Sequence, residues 1–291
     1  PIKYKKKLHM NSNMQTYSDL AKTSSQAVTQ AYSTSFYSSV SMLDPSIQPH
    51  IHNIYGFVRL ADEIVDSFLE HDQETLFNRF EDDLKDAINR KISLNPVLHA
   101  FQETFHQYAI DMHLVDAFMH SMRMDLTKLD YLSVEEYEQY IYGSADVVGL
   151  MCLKIFVNGD VNQYEKLKPS AMKLGSAFQK VNFLRDIKAD SEVLNRSYFP
   201  NVDFNNLSAA NKSAIIEEIE NDFAEAYTGI VQLPQTARFG VYTAYKYYRQ
   251  LLKKLKRTPS NRILESRIRV KDHVKLALMV KSYMNVRLNM L

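Results

Sequence analysis

The sequence predicts an all-α fold, and three observations carry that prediction. Apolar residues recur at spacings of three and four along almost the whole chain, as on helices with one buried face. Glycine and proline are scarce, seven and eight in 291 residues, too few for the turns of an all-β protein. Helix-start signals recur, and no stretch alternates clearly as a strand would.

Asp44-Pro45 is read as the N-cap and first residue of a helix reaching about Phe68. Residues 73–91 form the next, with Leu76, Phe80, Leu84, Ala87 and Ile88 as its apolar stripe. Asn95-Pro96 opens another, Ser133 and Glu136 make a capping box, and 163–191 is one long helix. After a break at Tyr198–Pro200, helices are expected near 208–231, 234–257 and 270–289. No repeat and no Pro/Gly/Ser-rich joint separates two cores. Residues 1–30 are therefore expected to be an N-terminal extension with the first helix, and 31–291 one helical domain.

A chain of 291 residues buries roughly three quarters of its unfolded surface, and 45% apolar with 24% charged residues is ordinary for a soluble globule. The glycines cannot be written as G-x-G-x-x-G or as a Walker loop, which excludes Rossmann and P-loop nucleotide sites. The single cysteine, Cys152, permits no internal disulfide and reads as a small buried apolar residue; no zinc-type Cys/His spacing occurs. No apolar run approaches eighteen residues and no signal peptide is visible, so the expected location is cytoplasmic. The Lys-rich start carries no functional weight.

The net charge of +1 hides an asymmetry. Residues 246–291 hold thirteen Lys and Arg against two acids, Glu265 and Asp272. Such a segment suits an anionic partner such as a phosphate-bearing substrate, nucleic acid or lipid head groups; a solvated helix face is the plainer reading.

Two polar constellations could carry chemistry. Arg59, Asp62, Glu63 and Asp66 follow i, i+3, i+4, i+7, so one helix face carries a guanidinium and three carboxylates. Like charges at i, i+4 cost an isolated helix only about 0.2–0.5 kcal/mol, and an exposed acidic face would explain this pair alone. The second constellation changes that balance. In the stretch from Leu174 to Asp190, Asn182, Asp186 and Asp190 form a polar line, with Gln179 just before it and Arg185 beside it, while Val181, Phe183, Leu184 and Ile187 pack elsewhere. Two helices each with paired carboxylates beside an Arg suit Mg²⁺, which takes hard oxygen ligands and shares them with phosphate. Facing across a bundle, such pairs would hold ions bridging a diphosphate and favour its departure. Arginine supplies bidentate donors to the same group.

These residues resemble the squalene and phytoene synthase family. Leu174-Gly175, Gln179, Asn182, Arg185-Asp186, Asp190, Arg196 and Tyr198-Phe199-Pro200 are similar at every keyed position to that family's second signature. Asp62–Asp66 resembles its first acid motif, as does Ser33-Thr-Ser35-Phe36 upstream. Tyr140 to Gly149 is similar to the other signature with two departures: Ile141 stands where a small residue or Cys is usual, and Asp146 where a small residue is usual. The resemblance runs from about Ser33 to about Arg267.

The resemblance implies an isoprenoid synthase-type helical bundle with a central cavity, and head-to-head coupling of two prenyl diphosphates. Carried over, Asp62, Asp66, Asp186 and Asp190 would hold Mg²⁺, with Mn²⁺ as a substitute. Ser35, Arg59, Arg185, Arg196, Tyr247 and Arg267, with Lys180 as a further candidate, would face phosphates. Tyr55, Tyr142, Gln179, Asn182 and Tyr198 would line the reaction centre, where aromatic faces steady cations by about 0.5–2 kcal/mol each. The leading expectation is phytoene synthesis from two geranylgeranyl diphosphates without NADPH. A C30 synthase making squalene or dehydrosqualene is the runner-up. A helical scaffold on this fold would be expected to have lost the acid pairs, and a prenyl diphosphate phosphatase would trap water instead. Greasy substrates and the basic 246–291 segment suggest peripheral contact with the inner membrane face; no nucleic acid is expected.

Other features read plainly. His99, His106, His113 and His120 recur every seven residues, about 10 Å apart on a helix and too far for one metal ion, so a partly solvated face is expected. Tyr242, Tyr245 and Tyr248 are read as core, and Met119, Met122 and Met124 as core or cavity wall.

Overall fold

In the computed structural model the described residues are 2–127, 133–192, 198–200, 207–288 and 290; side chains are described from 13 onward, excepting 189–192. Every regular element among them is helical. The chain divides into two compact units, Pro1–Ile110 and Asp111–Leu291.

The first unit holds α1 (Ile2–Tyr32), α2 (Thr34–Val40), α3 (Gln48–Asp66), α4 (Gln73–Arg90) and α5 (Pro96–Gln107). α3 packs on α1, α4 and α5. Its Phe57 stacks on Phe101 of α5 at 4.1 Å and on Phe80 of α4 at 6.2 Å. Burying each such ring contributes about 1.5–3 kcal/mol, which makes α3 a fixed platform for its acidic face. Gly56 of α3 allows close approach, because a Cβ there would come within 3.2 Å of Ser25 and 3.1 Å of Val97.

Three expectations are corrected in this part of the chain. Asp44 does not cap a helix; its carboxylate accepts from the Ser46 N–H at 2.9 Å and the Ser46 hydroxyl at 2.6 Å. That turn satisfies the acid locally, and α3 starts only at Gln48, with Pro49 in its first turn. On α4, Leu76 is exposed and Phe77 fully buried, so the stripe begins one residue later. The four histidines share no single face: His99 and His106 lie on α5, His113 and His120 on α6 (Met112–Met124). His99 is buried, its ring 4.7 Å from Tyr17 and its Nε2 3.4 Å from Ser18 Oγ.

The second unit continues with α7 (Val134–Ile141), a π-helical turn (Tyr142–Asp146), α8 (Val147–Phe156), α9 (Val161–Glu192), α10 (Ala209–Ile230), α11 (Gln235–Arg257), α12 (Ser260–Glu265) and α13 (Asp272–Arg287). Ser133 caps α7 as expected, accepting from the Glu136 N–H. α9 is the axis: α8, the π turn, α10, α11 and α12 pack on it, and α13 packs on α11. Gly229 of α10 meets α9 where a Cβ would lie 2.4 Å from Ser170 Cβ. Val181, Phe183, Leu184 and Ile187 of α9 are all buried. Among the described residues, no helix is long and apolar enough to cross a membrane.

α9 and α10 are also joined by a buried ion cluster. Lys180 Nζ reaches Asp222 Oδ2 at 2.7 Å and Glu218 Oε1 at 2.5 Å, and Lys173 Nζ donates to Asp222 Oδ1 at 2.9 Å. Lys180 and Asp222 are both buried. A buried ammonium needs this compensation, so Lys180 is committed to α10 and not to the phosphate-facing role the resemblance suggested.

Candidate functional site

In the first unit the site residues lie on α2 and α3. Ser33 caps α2 by accepting from the Phe36 N–H, and this sets Phe36 against Tyr55 of α3, ring centroids 4.9 Å apart. Ser35 is half-buried on α2, its carbonyl accepting from Ser39 Oγ at 3.1 Å. One turn beyond Tyr55, Arg59 pairs with both Asp62 and Glu63. Its guanidinium also lies over the Tyr32 ring, 4.4 Å from the centroid. Burial works against the Arg59 charge, but the Asp62 and Glu63 carboxylates outweigh it and raise the pKa. Asp62 and Asp66 are half-buried on the same face, in the i, i+4 relation read from sequence.

In the second unit the π turn and α9 carry the remaining groups. Tyr142 opens the π turn, half-buried. Gln179 Nε2 donates to Ser144 Oγ of that turn at 3.4 Å. Asn182 accepts from the Tyr248 hydroxyl at 3.3 Å, while the Tyr248 ring stacks on Phe178 at 4.0 Å. Arg185 pairs with Asp186 through two donors, Nε at 2.9 Å and Nη2. Arg267 meets the same carboxylate, Nε to Oδ1 at 2.8 Å and Nη2 to Oδ2 at 3.3 Å. Burial disfavours the Arg185 charge, yet its bonds to Asp186 raise the pKa above the ordinary value.

Tyr247 is half-buried on α11, edge-on to Tyr248 at 5.5 Å and with Lys275 Nζ 5.8 Å from its ring centroid. Tyr198 is buried flat against Phe183 at 4.0 Å and against Tyr140 at 5.4 Å. Asp190 belongs to α9, but its side chain lies outside the described residues, as does the whole of Arg196.

The sequence places Tyr248 in the core with Tyr242 and Tyr245; those two are buried, and Tyr248 is half-buried with its hydroxyl bonded to the polar line of α9. Its adjacency to Tyr247 was the available signal. Cys152, expected from sequence to be a small buried apolar residue, is half-buried on α8, in surroundings that push its thiol up to about 12 and so disfavour the reactive thiolate.

Among the described residues, no three His, Cys, Asp or Glu side chains converge as a metal cage; each acidic face is drawn to guanidinium. The donor chemistry nonetheless fits a hard divalent cation. Every candidate ligand is a carboxylate oxygen, and Asp62 and Asp186 sit in partly exposed ion pairs. Each of these carboxylates keeps some exposure, so a cation arriving with phosphate would have access to them and the arginines could turn to that phosphate.

Residues 29–273 match the family model described as "Squalene/phytoene synthase". The chloroplastic phytoene synthase of Narcissus pseudonarcissus is 25% identical over 249 residues, 79% of this chain and 58% of that protein. Phytoene synthase 3 of Zea mays is 26% identical over 243 residues, 77% of this chain and 57% of that one. The chain thus spans under three fifths of these relatives. Among solved structures, a dehydrosqualene synthase in complex with ligand superposes with TM-score 0.79 at 20% identity, covering 94% of this chain and 98% of that one. The squalene synthase HpnC of Alicyclobacillus acidocaldarius gives 0.70 at 21% identity, covering 81% and 93%. The all-α fold is the one these synthases share.

Proposed function

This chain belongs to the squalene/phytoene synthase family, and on that premise we propose that it condenses two geranylgeranyl diphosphates head to head into phytoene. Asp62, Asp66, Asp186 and Asp190 would hold magnesium, and Ser35, Arg59, Arg185, Arg196, Tyr247 and Arg267 would bind phosphate oxygens. Bound magnesium supplies positive charge that stabilises a departing diphosphate.

The rest of the chemistry falls to the chain's own side chains. The C1–O bond of one substrate breaks and the electron pair leaves with diphosphate. The allylic cation is attacked by the double bond of the second substrate, and proton loss closes a cyclopropane that still carries one diphosphate. Departure of that group drives rearrangement, and a second proton loss ends the reaction without a reductant. Guanidinium forks suit the accumulating phosphate charge. Tyr55, Tyr142 and Tyr198 offer ring faces to the cations, and Gln179 and Asn182 supply polar contacts beside them.

The observation that carries this reading is Asp186 held between Arg185 and Arg267 on the polar line of α9. It places acid and guanidinium together, as binding of a metal-diphosphate requires. A C30 product from two farnesyl diphosphates is the second reading, favoured by the structural likeness to dehydrosqualene and squalene synthases. Purified protein incubated with Mg²⁺ and each prenyl diphosphate, with and without NADPH, separates the readings by the hydrocarbon formed. A C40 hydrocarbon from geranylgeranyl diphosphate supports the first. Coupling of farnesyl diphosphate alone replaces it with the second, and release of a prenyl alcohol would show a phosphatase. Greasy substrates and the basic 246–291 segment also support peripheral attachment to anionic membrane, tested by vesicle sedimentation at low and high salt.

A further inference from the structure

The π turn Tyr142–Asp146 is clamped between two helices by glycines. At Gly143 a Cβ would lie 2.0 Å from Ser121 Oγ and 2.6 Å from the Ala117 carbonyl oxygen of α6. At Gly175 of α9 it would lie 2.8 Å from the Ala145 carbonyl oxygen and 3.1 Å from Asp146 Cα. The turn's backbone therefore rests directly on both neighbours, and single π turns of this kind are frequent at functional sites. Backbone contact fixes the separation of turn and helix, but not the sliding of one along the other. Two side-chain bonds fix that register. Ser176 Oγ donates to Asp146 Oδ1 at 2.7 Å, and one turn later Gln179 Nε2 donates to Ser144 Oγ at 3.4 Å. The Ser176–Asp146 bond is the shorter of the two and is buried.

We propose that Asp146 is a positioning residue, which through Ser176 locks the π turn to α9 and thereby sets Tyr142 and Gln179. This is a property of this chain, since Asp146 is one of its departures from the signature pattern. The charged groups bearing on Asp146 are Lys173 and Lys180 of α9 and Asp222 of α10. Both lysines pair with Asp222, while Ser176 donates to the Asp146 carboxyl and holds it in place. The lock itself stands on geometry alone; its catalytic consequence rests on the proposed condensation.

The test compares Asp146→Ala, Asp146→Asn and Ser176→Ala by hydrogen exchange of the full chain and by steady-state kinetics with prenyl diphosphate and Mg²⁺. Asp146→Ala and Ser176→Ala should each speed exchange of the 142–149 amides about tenfold or more, without added effect when combined. Asp146→Asn keeps an acceptor for Ser176 and should restore protection. In turnover, Asp146→Ala should lower kcat about tenfold with KM within about twofold, and Asp146→Asn should recover most of it. Unchanged exchange in both Asp146→Ala and Ser176→Ala overturns the lock, and unchanged kcat with altered exchange overturns its positioning role. Absence of coupling by the wild type would instead count against the condensation, while the exchange result still decides the lock. If Asp146→Ala does not fold, Ser176→Ala asks the same question from the other partner.

Discussion

Arg267 closes onto Asp186 from 81 residues further along the chain, its Nε 2.8 Å from Oδ1 and its Nη2 3.3 Å from Oδ2. Arg185 holds the same carboxylate from the adjacent position. One acid thus collects two guanidiniums, one given by local sequence and one brought by the chain after α12. Under the proposed condensation this carboxylate would exchange guanidinium for metal when a diphosphate binds, and this makes it the first residue to test.

Asp186→Asn should lower kcat by about 10²–10³ or more, the loss typical for removing a charged group that acts on the departing charge. The amide keeps the shape and two polar atoms, so helicity and melting temperature should stay close to wild type. Product assay alongside circular dichroism melting checks both. Wild-type turnover would remove Asp186 from the proposed ligands.

The ion cluster between α9 and α10 makes a different prediction, one about stability. Asp222→Ala leaves Lys180 buried with Glu218 as its remaining acid and should cost about 3 kcal/mol, read as a lower urea midpoint. Lys180→Met leaves Asp222 paired with Lys173 at 2.9 Å and should cost less. The reverse order would place the dominant pairing elsewhere.

Asp146 gives a pH dependence whose sign can be worked out. Burial raises its carboxyl from 3.8 to about 7, against the Ser176 hydrogen bond. The folded state therefore binds more protons than the unfolded state between about pH 4 and pH 7, and this group's contribution to stability falls as pH rises through that window. Asp146→Asn removes the dependence. It should match wild type near pH 4 and exceed it at pH 8 by an amount on the order of 2–4 kcal/mol. Denaturant titrations at both values measure this, and an equal difference at the two would show that Asp146 is not the titrating group.

Gly143→Ala should destabilise by about 1–3 kcal/mol, the usual range for forcing atoms into a packed core. The added methyl would meet Ser121 Oγ, which can rotate, and the Ala117 carbonyl oxygen at 2.6 Å, which cannot. Adding Ser121→Ala should therefore recover only part of the loss. Full recovery would show that the backbone contact yields freely.

Asn95 and Ser133 cap their helices as read, because each cap is a local contract between a side chain and N–H groups two or three residues on. The same local regularity put Asp62 with Asp66, and Asn182 with Asp186, on single helix faces. Asp44-Pro45 misleads because an acid before proline satisfies a turn as well as a cap, and local sequence does not rank the two. The spacing of Leu76, Phe80 and Leu84 identified a helix, but whether Leu76 or Phe77 faces inward depends on what α4 packs against.

By itself the sequence determined the all-α class, most of the long helices, the two acidic faces and, through the keyed residues from Leu174 to Pro200, the family. It could do so because helical periodicity, capping and motif spacing are short-range relations written within a few residues of one another. Only the tertiary structure decided that Arg267 reaches Asp186, that Lys180 answers Asp222, that Tyr248 bonds Asn182, and that Ser176 bonds Asp146 at the end of the π turn that Tyr142 opens. Those pairings join residues far apart in the chain; packing of the helices brings the partners together, and for the buried Lys180–Asp222 and Ser176–Asp146 pairs an uncompensated charge or donor would be costly.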